Sequence, residues 1–275
     1  MRKLLRKLSI HVVLIVLGAA MILPFVWMVS TSLKGYHEIF RYPPNWIPDS
    51  PQWSNYLKVW ELAPFGRFYL NSVVVGLLST AGQVFTGIFA AYAFARMKFK
   101  GRDQVFMLFL ATLMVPTQVT LIPTYIVMSR IDWIDSYQAL IVPFLATAFS
   151  VFLLRQFFMT IPNELEDAAT VDGCSRLRFI FRILMPLAKP SLASVSLFGF
   201  LGSWNSYLWP LIVVNSNKMR TLPIGLRYFI SQQGGGSEWH YLMAASLIVM
   251  LPVLIVFFFA QKQFIEGIAK SGIKG

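Results

Sequence analysis

The chain has 275 residues, of which 56% are hydrophobic and only 13% charged, and it carries a formal net charge of +12. A soluble domain averages about 25% charged residues, so this composition excludes an ordinary soluble fold and points into a membrane. A single cysteine, Cys174, excludes an internal disulfide, and three scattered histidines (His11, His37, His240) form neither an HExxH motif nor a ligand cluster, so no metal site is expected.

A helix needs about 20 apolar residues to cross the hydrocarbon layer. Six runs meet that length: 9–32, 69–95, 104–129, 137–159, 187–214 and 241–261. They predict an all-α polytopic membrane protein. The first run follows the basic stretch MRKLLRK, but its apolar core is too long for a signal peptide and no small-residue cleavage site follows Pro24 and Trp27. It is expected to be a retained span. Residues 33–68 interleave Pro43, Pro44, Pro48 and Pro51 with Trp46, Trp53 and Trp60, the composition of an extended aromatic loop lying at headgroup level. A surface for an external partner is the other reading of that loop.

The second run holds Gln83 and Thr86 on one helical face, either packing against a neighbouring helix or lining a pathway. The third is interrupted by Pro116 and Pro123, with Gln118 and Thr120 between them, which predicts a bent helix whose freed carbonyls need partners inside the bundle. Between the fourth and fifth runs lies the most charged stretch, 162–190. Asn163 with Glu166 three residues on reads as a capping box opening a short helix. Gly173 is placed to end it, Ser175 to cap a second helix, and Pro186 and Pro190 to punctuate that helix's end. Ala168 and Ala169 give the first helix a small, flat face.

The order Asp167-Ala168-Ala169, three residues, Gly173, nine residues, Ile183, one residue, Met185-Pro186 resembles the "EAA" loop of ABC-importer permeases. Asp167 stands for the family's Glu, Met185 for Leu, and Cys174 for a common Ala. The resemblance implies the MetI-like permease fold, with this loop as the coupling helix that docks on a cytoplasmic ATPase subunit. It implies coupling roles for Glu166, Asp167, Ala168, Ala169, Asp172, Gly173, Ile183 and Pro186. The permease core would begin near residue 69 and run to 262, after an N-terminal part of tail, span and outer loop (1–68) and before a tail (263–275).

In the fifth run, SWNSYLWPLIVV places Asn205 among serines, where lipid tolerates few hydrogen-bonding groups. This stretch, the following Arg220-Thr221-Leu222-Pro223-Ile224-Gly225-Leu226, and the tail QKQFIEGIAKSGIKG look like the carbohydrate subgroup of these permeases, the relatives of the maltose-system permease. Gln83, Gln118 and Asn205 are the candidates for a translocation path. The loop 215–240 contains Gly234, Gly235 and Gly236, either a bare hinge or, by the resemblance, a reach toward a substrate-binding protein.

With the N-terminus inside, sixteen of the 24 Lys and Arg fall on inside segments and eight on outside ones. That bias places both termini and the 162–190 loop in the cytoplasm, and it accounts for the basicity as topology, which excludes nucleic acid as a partner. No GxxxxGKS/T motif and no Ser/His/Asp set occurs, so catalysis on this chain is not expected. By the resemblance the chain is one permease subunit in a bacterial or archaeal cytoplasmic membrane. It would pair with a second, related permease subunit, two copies of an ATPase that holds ATP and Mg, and an extracytoplasmic solute-binding protein. A sugar or oligosaccharide is the expected cargo, and glycerol 3-phosphate the alternative. An ion-coupled secondary transporter fits less well, because no span holds an acid within its core.

Overall fold

A computed structural model describes residues 2–230 and 238–272, and every regular element among them is helical. The principal helices are α1 (Arg2–Ser32), α2 (Ser54–Leu62), α3 (Phe65–Arg96), α4 (Arg102–Ala111), α5 (Thr117–Arg130), α6 (Tyr137–Ile141), α7 (Ala148–Thr160), α8 (Glu164–Val171), α9 (Arg176–Phe179), α10 (Lys189–Trp204), α11 (Leu208–Val213) and α12 (Trp239–Gly272). Four stretches are long and apolar enough to cross a membrane: Arg6–Ser32, Phe65–Arg96, Tyr137–Thr160 and Trp239–Phe259. Two more candidates are bent pairs, Arg102–Met114 with Thr117–Arg130 at 101° and Arg176–Leu187 with Lys189–Trp204 at 84°. Counting each pair as one span gives six, the number that hydropathy predicts, although the second pair covers 176–204 where the predicted run is 187–214.

The bends come from proline. Pro116 lacks the N–H that would continue the ladder, and the Pro ring holds Val115 out of the helical region, at ψ 117°. The chain closes α4 with a tight turn, Val115 N–H donating to the Thr112 carbonyl at 3.2 Å, and restarts at Thr117. The third run is therefore broken outright, far beyond a kink. The fifth run also departs from a continuous helix: α10 stops at Trp204 and the chain resumes at Leu208. A helix running through would drive the Pro210 ring against the carbonyl of Ser206.

By where its contacts concentrate, the chain forms two compact units, residues 1–66 with 225–251 and residues 67–224 with 252–275. In the first, α1 buries none of its apolar window, which suits a helix surrounded by hydrocarbon or by another chain. The segment after α1 carries two helices, Tyr36–Ile39 and α2, where an extended loop is expected. Asn55 donates to the carbonyls of Ser32 (2.9 Å) and Lys34 (3.0 Å), and Gln52 N–H to that of Leu33 (2.8 Å), pinning α2 to the end of α1. Lys34 is 1% exposed, donates to the Asn45 carbonyl and stands 4.3 Å from the Trp27 ring centre. Burial holds its ammonium below the usual lysine range, against the pull of the Glu38 carboxylate.

The second unit has two buried clusters. One joins α3, α4, α7, α8, α9 and α10 through Tyr92, Phe106, Phe158, Ala169, Phe179 and Val195. The other joins α3, α5, α6 and α11 through Val75, Met128, Leu140, Trp209 and Val213. In lipid, apolar side chains gain little by leaving their surroundings, so shape and hydrogen bonds decide how such helices pack. Trp209 Nε1 donates to the Ala139 carbonyl at 2.9 Å, and Thr86 Oγ1 to that of Leu145 at 2.7 Å. Thr86 thus serves helix packing.

Asp135 (φ 60°) latches two loops of this unit. Its Oδ1 accepts from the backbone N–H groups of Asn215 and Ser216, both at 3.0 Å, and its own N–H donates to the Val213 carbonyl at 2.9 Å. Burial raises its pKa, but these hydrogen bonds outweigh burial and hold it below the usual 3.8. A depressed carboxylate contributes stability above its unfolded value, and that contribution vanishes as pH falls through the folded one. Asp135→Asn, which tolerates the same backbone conformation, should lower the thermal midpoint of the detergent-solubilised chain at pH 7. The gap to wild type should close below pH 3.8, and an equal gap at both pH values would contradict the charge-assisted latch.

Candidate functional site

The charged stretch 162–190 folds as a helical hairpin. Three acids, Glu164, Glu166 and Asp167, occupy the first turn of α8, where the helix dipole favours negative charge. The predicted capping box does not form: Asn163 has helical φ and ψ and its side chain caps nothing. Both members of the box turn instead to the last turns of α3. Asn163 Oδ1 accepts from Arg96 Nη1, and Glu166 Oε1 accepts from the Tyr92 hydroxyl at 2.5 Å.

The other end of α8 follows the local rules. Gly173 sits at φ 72°; its N–H donates to Thr170 and the N–H of Cys174 to Ala169, at 3.0 and 2.8 Å. That pair of bonds is a Schellman closure, and it needs the left-handed residue that glycine supplies. Ser175 caps α9 as expected, accepting from the Arg178 N–H at 3.4 Å. The chain then widens into a π-helical turn, Ile180–Leu184, passes Pro186 and bends into α10. Such turns recur at functional sites because they re-aim side chains within a continuous helix.

The hairpin has an inner and an outer face. Asp167, Ala168, Asp172, Gly173 and Pro186 are exposed, as is Val171 at 88%. Ala169 does not share the outward face assigned to the alanine pair: it is 7% exposed and packs into the cluster with Tyr92 and Phe158. Neighbouring residues point about 100° apart on a helix, so α8 can bury Ala169 while Ala168 stays exposed. Ile183 is half-buried against the same cluster.

Of the three pathway candidates, two come together. Gln118 from the start of α5 and Asn205 from the end of α10 line a cavity of about 560 Å³ with Thr120, Thr124, Ser206 and Trp209. None of its lining residues is charged. The two chain breaks create it: the breaks at Pro116 and Asn205 aim both helix ends into one space. Gln83 lies elsewhere, 7% exposed, lining a second cavity of about 290 Å³ that shares Phe144, Ser206 and Trp209 as a wall. A methyl at Gly199 would sit 2.6 Å from Gln83 Oε1, so a side chain there would require the Gln83 amide to turn aside. Gly234, Gly235 and Gly236 fall outside the described residues.

Tyr92, Arg96 and Arg155 are absent from the sequence-derived candidates, yet they organise this end of the unit. Arg96 Nη2 donates to the carbonyls of Phe158 (2.7 Å) and Ile161 (2.5 Å), capping α7. Arg155 Nε donates to the Phe94 carbonyl at 3.2 Å and its guanidinium lies 4.0 Å from the Phe106 ring centre. The available signal was the i, i+4 spacing of Tyr92 and Arg96, which places both on one face of α3.

A family model described as binding-protein-dependent transport system inner membrane component matches residues 83–270. The chain is 39% identical over 268 residues to the sn-glycerol-3-phosphate transport system permease protein UgpE of Pectobacterium atrosepticum, covering 95% of each. It is 34% identical over 272 residues to the arabinooligosaccharides transport system permease protein AraQ of Bacillus subtilis, covering 98% of this chain and 96% of that one. Its fold matches a chain of a bacterial ABC transporter involved in the import of the acidic polysaccharide alginate, with a TM-score of 0.85, 22% identity, and coverage of 94% and 96%. A chain of the alginate transporter in complex with a pentasaccharide-bound periplasmic protein matches with a TM-score of 0.65 and 14% identity.

A Cβ added at Gly173 would meet nothing within 4 Å, so substitution there tests the backbone alone. Gly173→Val should cost about 1–2 kcal/mol for the left-handed conformation. Amide exchange across residues 164–179 should accelerate about 5–30-fold, while Gly173→Asn should stay near wild type. Equal exchange in all three proteins would contradict the Schellman closure.

Proposed function

The chain belongs to the family of binding-protein-dependent transport system inner membrane components, and from that premise we infer how it serves as the permease of an ABC importer. It is a transport component, and the substrate is moved without covalent chemistry on this chain. ATP with Mg is bound and hydrolysed by a separate cytoplasmic ATPase, present in two copies. A second, related permease supplies the remaining walls of the path. The hairpin of α8 and α9 faces the cytoplasm with both termini, as the lysine and arginine bias supports.

The outward set of Asp167, Ala168, Asp172 and Gly173 forms the ATPase-facing surface. Asp167 meets a basic group there, and Ala168 allows close approach. Ile183 and Pro186 carry the displacement through the π-helical turn into α10. Alternating access then follows from a bundle with two packings, each favoured by a different ligand state. The loop holding Gly234, Gly235 and Gly236 is the proposed contact for the extracytoplasmic binding protein.

The cargo is a sugar or oligosaccharide. The observation that carries this is the uncharged cavity of Gln118 and Asn205, where amides and hydroxyls stand beside Trp209 and Tyr207. Amides and hydroxyls exchange hydrogen bonds with a polyol, and an aromatic face covers its C–H groups. A second reading, glycerol 3-phosphate, is favoured by the 39% identity to a permease named for that solute. On that reading the phosphate needs a cationic partner, which this cavity wall lacks.

The test is ATP hydrolysis by the complex reconstituted in vesicles with its partner subunits and binding protein. Stimulation by a sugar and not by glycerol 3-phosphate is the expected outcome; the reverse would replace the cargo. Asn205→Leu should then raise the KM for uptake by about tenfold, the scale of one lost hydrogen bond of about 1.4 kcal/mol. An unchanged KM would remove Asn205 from the path.

A further inference from the structure

On the reading of α8 as the ATPase-facing helix, one question is how its movement reaches the spans. The covalent route runs from α8 through α9 and the π-helical turn to α10. That route is bent by 84° between Leu187 and Lys189 and contains a widened turn, so it transmits displacement to α10 with some slack. A second route runs through side chains. Asn163 and Glu166 are the residues that local rules assign to capping α8, and both are engaged by α3 instead.

The contact has three parts. The Tyr92 hydroxyl donates to Glu166 Oε1 at 2.5 Å, and Tyr92 is 4% exposed. Arg96 grips Asn163 Oδ1 with one guanidinium nitrogen and the carbonyls of Phe158 and Ile161 with the other. Ala169, one turn from Glu166, is buried in the cluster that holds Tyr92 and Phe158. One side of α8 is thus fixed to α3 and to the end of α7, while Asp167, Ala168 and Val171 on the other side stay exposed. Gln83 lies nine residues before Tyr92 on α3, roughly 14 Å along the axis, so a shift at Tyr92 arrives directly at a cavity wall.

We propose that Tyr92 and Arg96, gripping Glu166 and Asn163, are the positioning residues through which α8 moves α3 in step with α10. In this arrangement Glu166 acts inside the chain, and Asp167 is left as the acid that meets the ATPase. Releasing the grip leaves α8 held by Ala169 and by its chain ends alone, so hydrolysis proceeds with less solute moved.

The experiment measures solute transported per ATP hydrolysed by the full complex in vesicles, with co-purification of the subunits as the check on assembly. Tyr92→Phe removes one oxygen and leaves the packing in place. It should lower the ratio about tenfold or more, the scale of one lost hydrogen bond to a charged partner. Glu166→Ala should lower it as much, and the double variant no further, because the two act as one unit. Glu166→Gln keeps an acceptor for the hydroxyl and should restore most of the ratio. A merely structural role would reduce assembly and leave the ratio intact. An unchanged ratio in Tyr92→Phe and Glu166→Ala, or additive losses in the double variant, would overturn the grip. If wild type shows no stimulated hydrolysis, the ATPase-facing reading falls and this inference falls with it.

Discussion

Arg96 stands where three helix ends meet: the last turn of α3, the C-terminal carbonyls of α7, and the residue that opens α8. The last carbonyls of a helix have no partner of their own, and in an apolar setting an unsatisfied carbonyl is costly. A guanidinium offers donors in a rigid plane, and its charge complements the negative end of the α7 dipole. A lysine could offer the charge but not the fork. The hairpin that carries the most charged surface of the chain is therefore held by a residue on a membrane span, close to where that span leaves the apolar layer.

The same requirement, that every backbone group find a partner, shapes the other end of the bundle. The chain breaks ahead of Pro116 and Pro210 into short turns and restarted helices, whereas Pro123 is carried inside α5. Irregular backbone at membrane depth is tolerable where it lines a cavity or lies buried in protein. Here the two breaks border one cavity, and the groups presented to it are amides, hydroxyls and aromatic faces. The sequence elements that make these spans poor helices thus make the polar space between them. One cause explains the geometry and the chemistry together.

The π-helical turn and the Tyr92–Glu166 bond describe two mechanical links of different stiffness. A helix carries displacement along its axis well, but a π turn followed by a sharp bend absorbs part of it. The hydrogen bond between the buried phenol and the carboxylate ties α8 to α3, which the covalent path does not. On the proposed coupling, α8 held at both links carries α3 and α10 along when it rocks.

Much of the molecule was legible before folding. Apolar length is a property of each segment alone, so four of the six runs reappear as single apolar stretches and the third as a bent pair. The Gly173 turn and the Ser175 cap close hydrogen bonds within six residues, so local chemistry was sufficient there. Where a side chain had both a local and a distant partner, the sequence was silent. Asn163 and Glu166 fit a capping box, but the donors on α3, some 70 positions earlier in the chain, claimed both. Ala168 and Ala169 are the same residue type, and only the packing of α8 against α3 decided which one was buried. Gln83, Gln118 and Asn205 were equally plausible as pathway groups; the breaks at Pro116 and Asn205 joined two of them and left the third behind a wall. Local bonds are fixed by short loops with little entropy to lose, whereas a choice between partners depends on which helices the rest of the chain brings near.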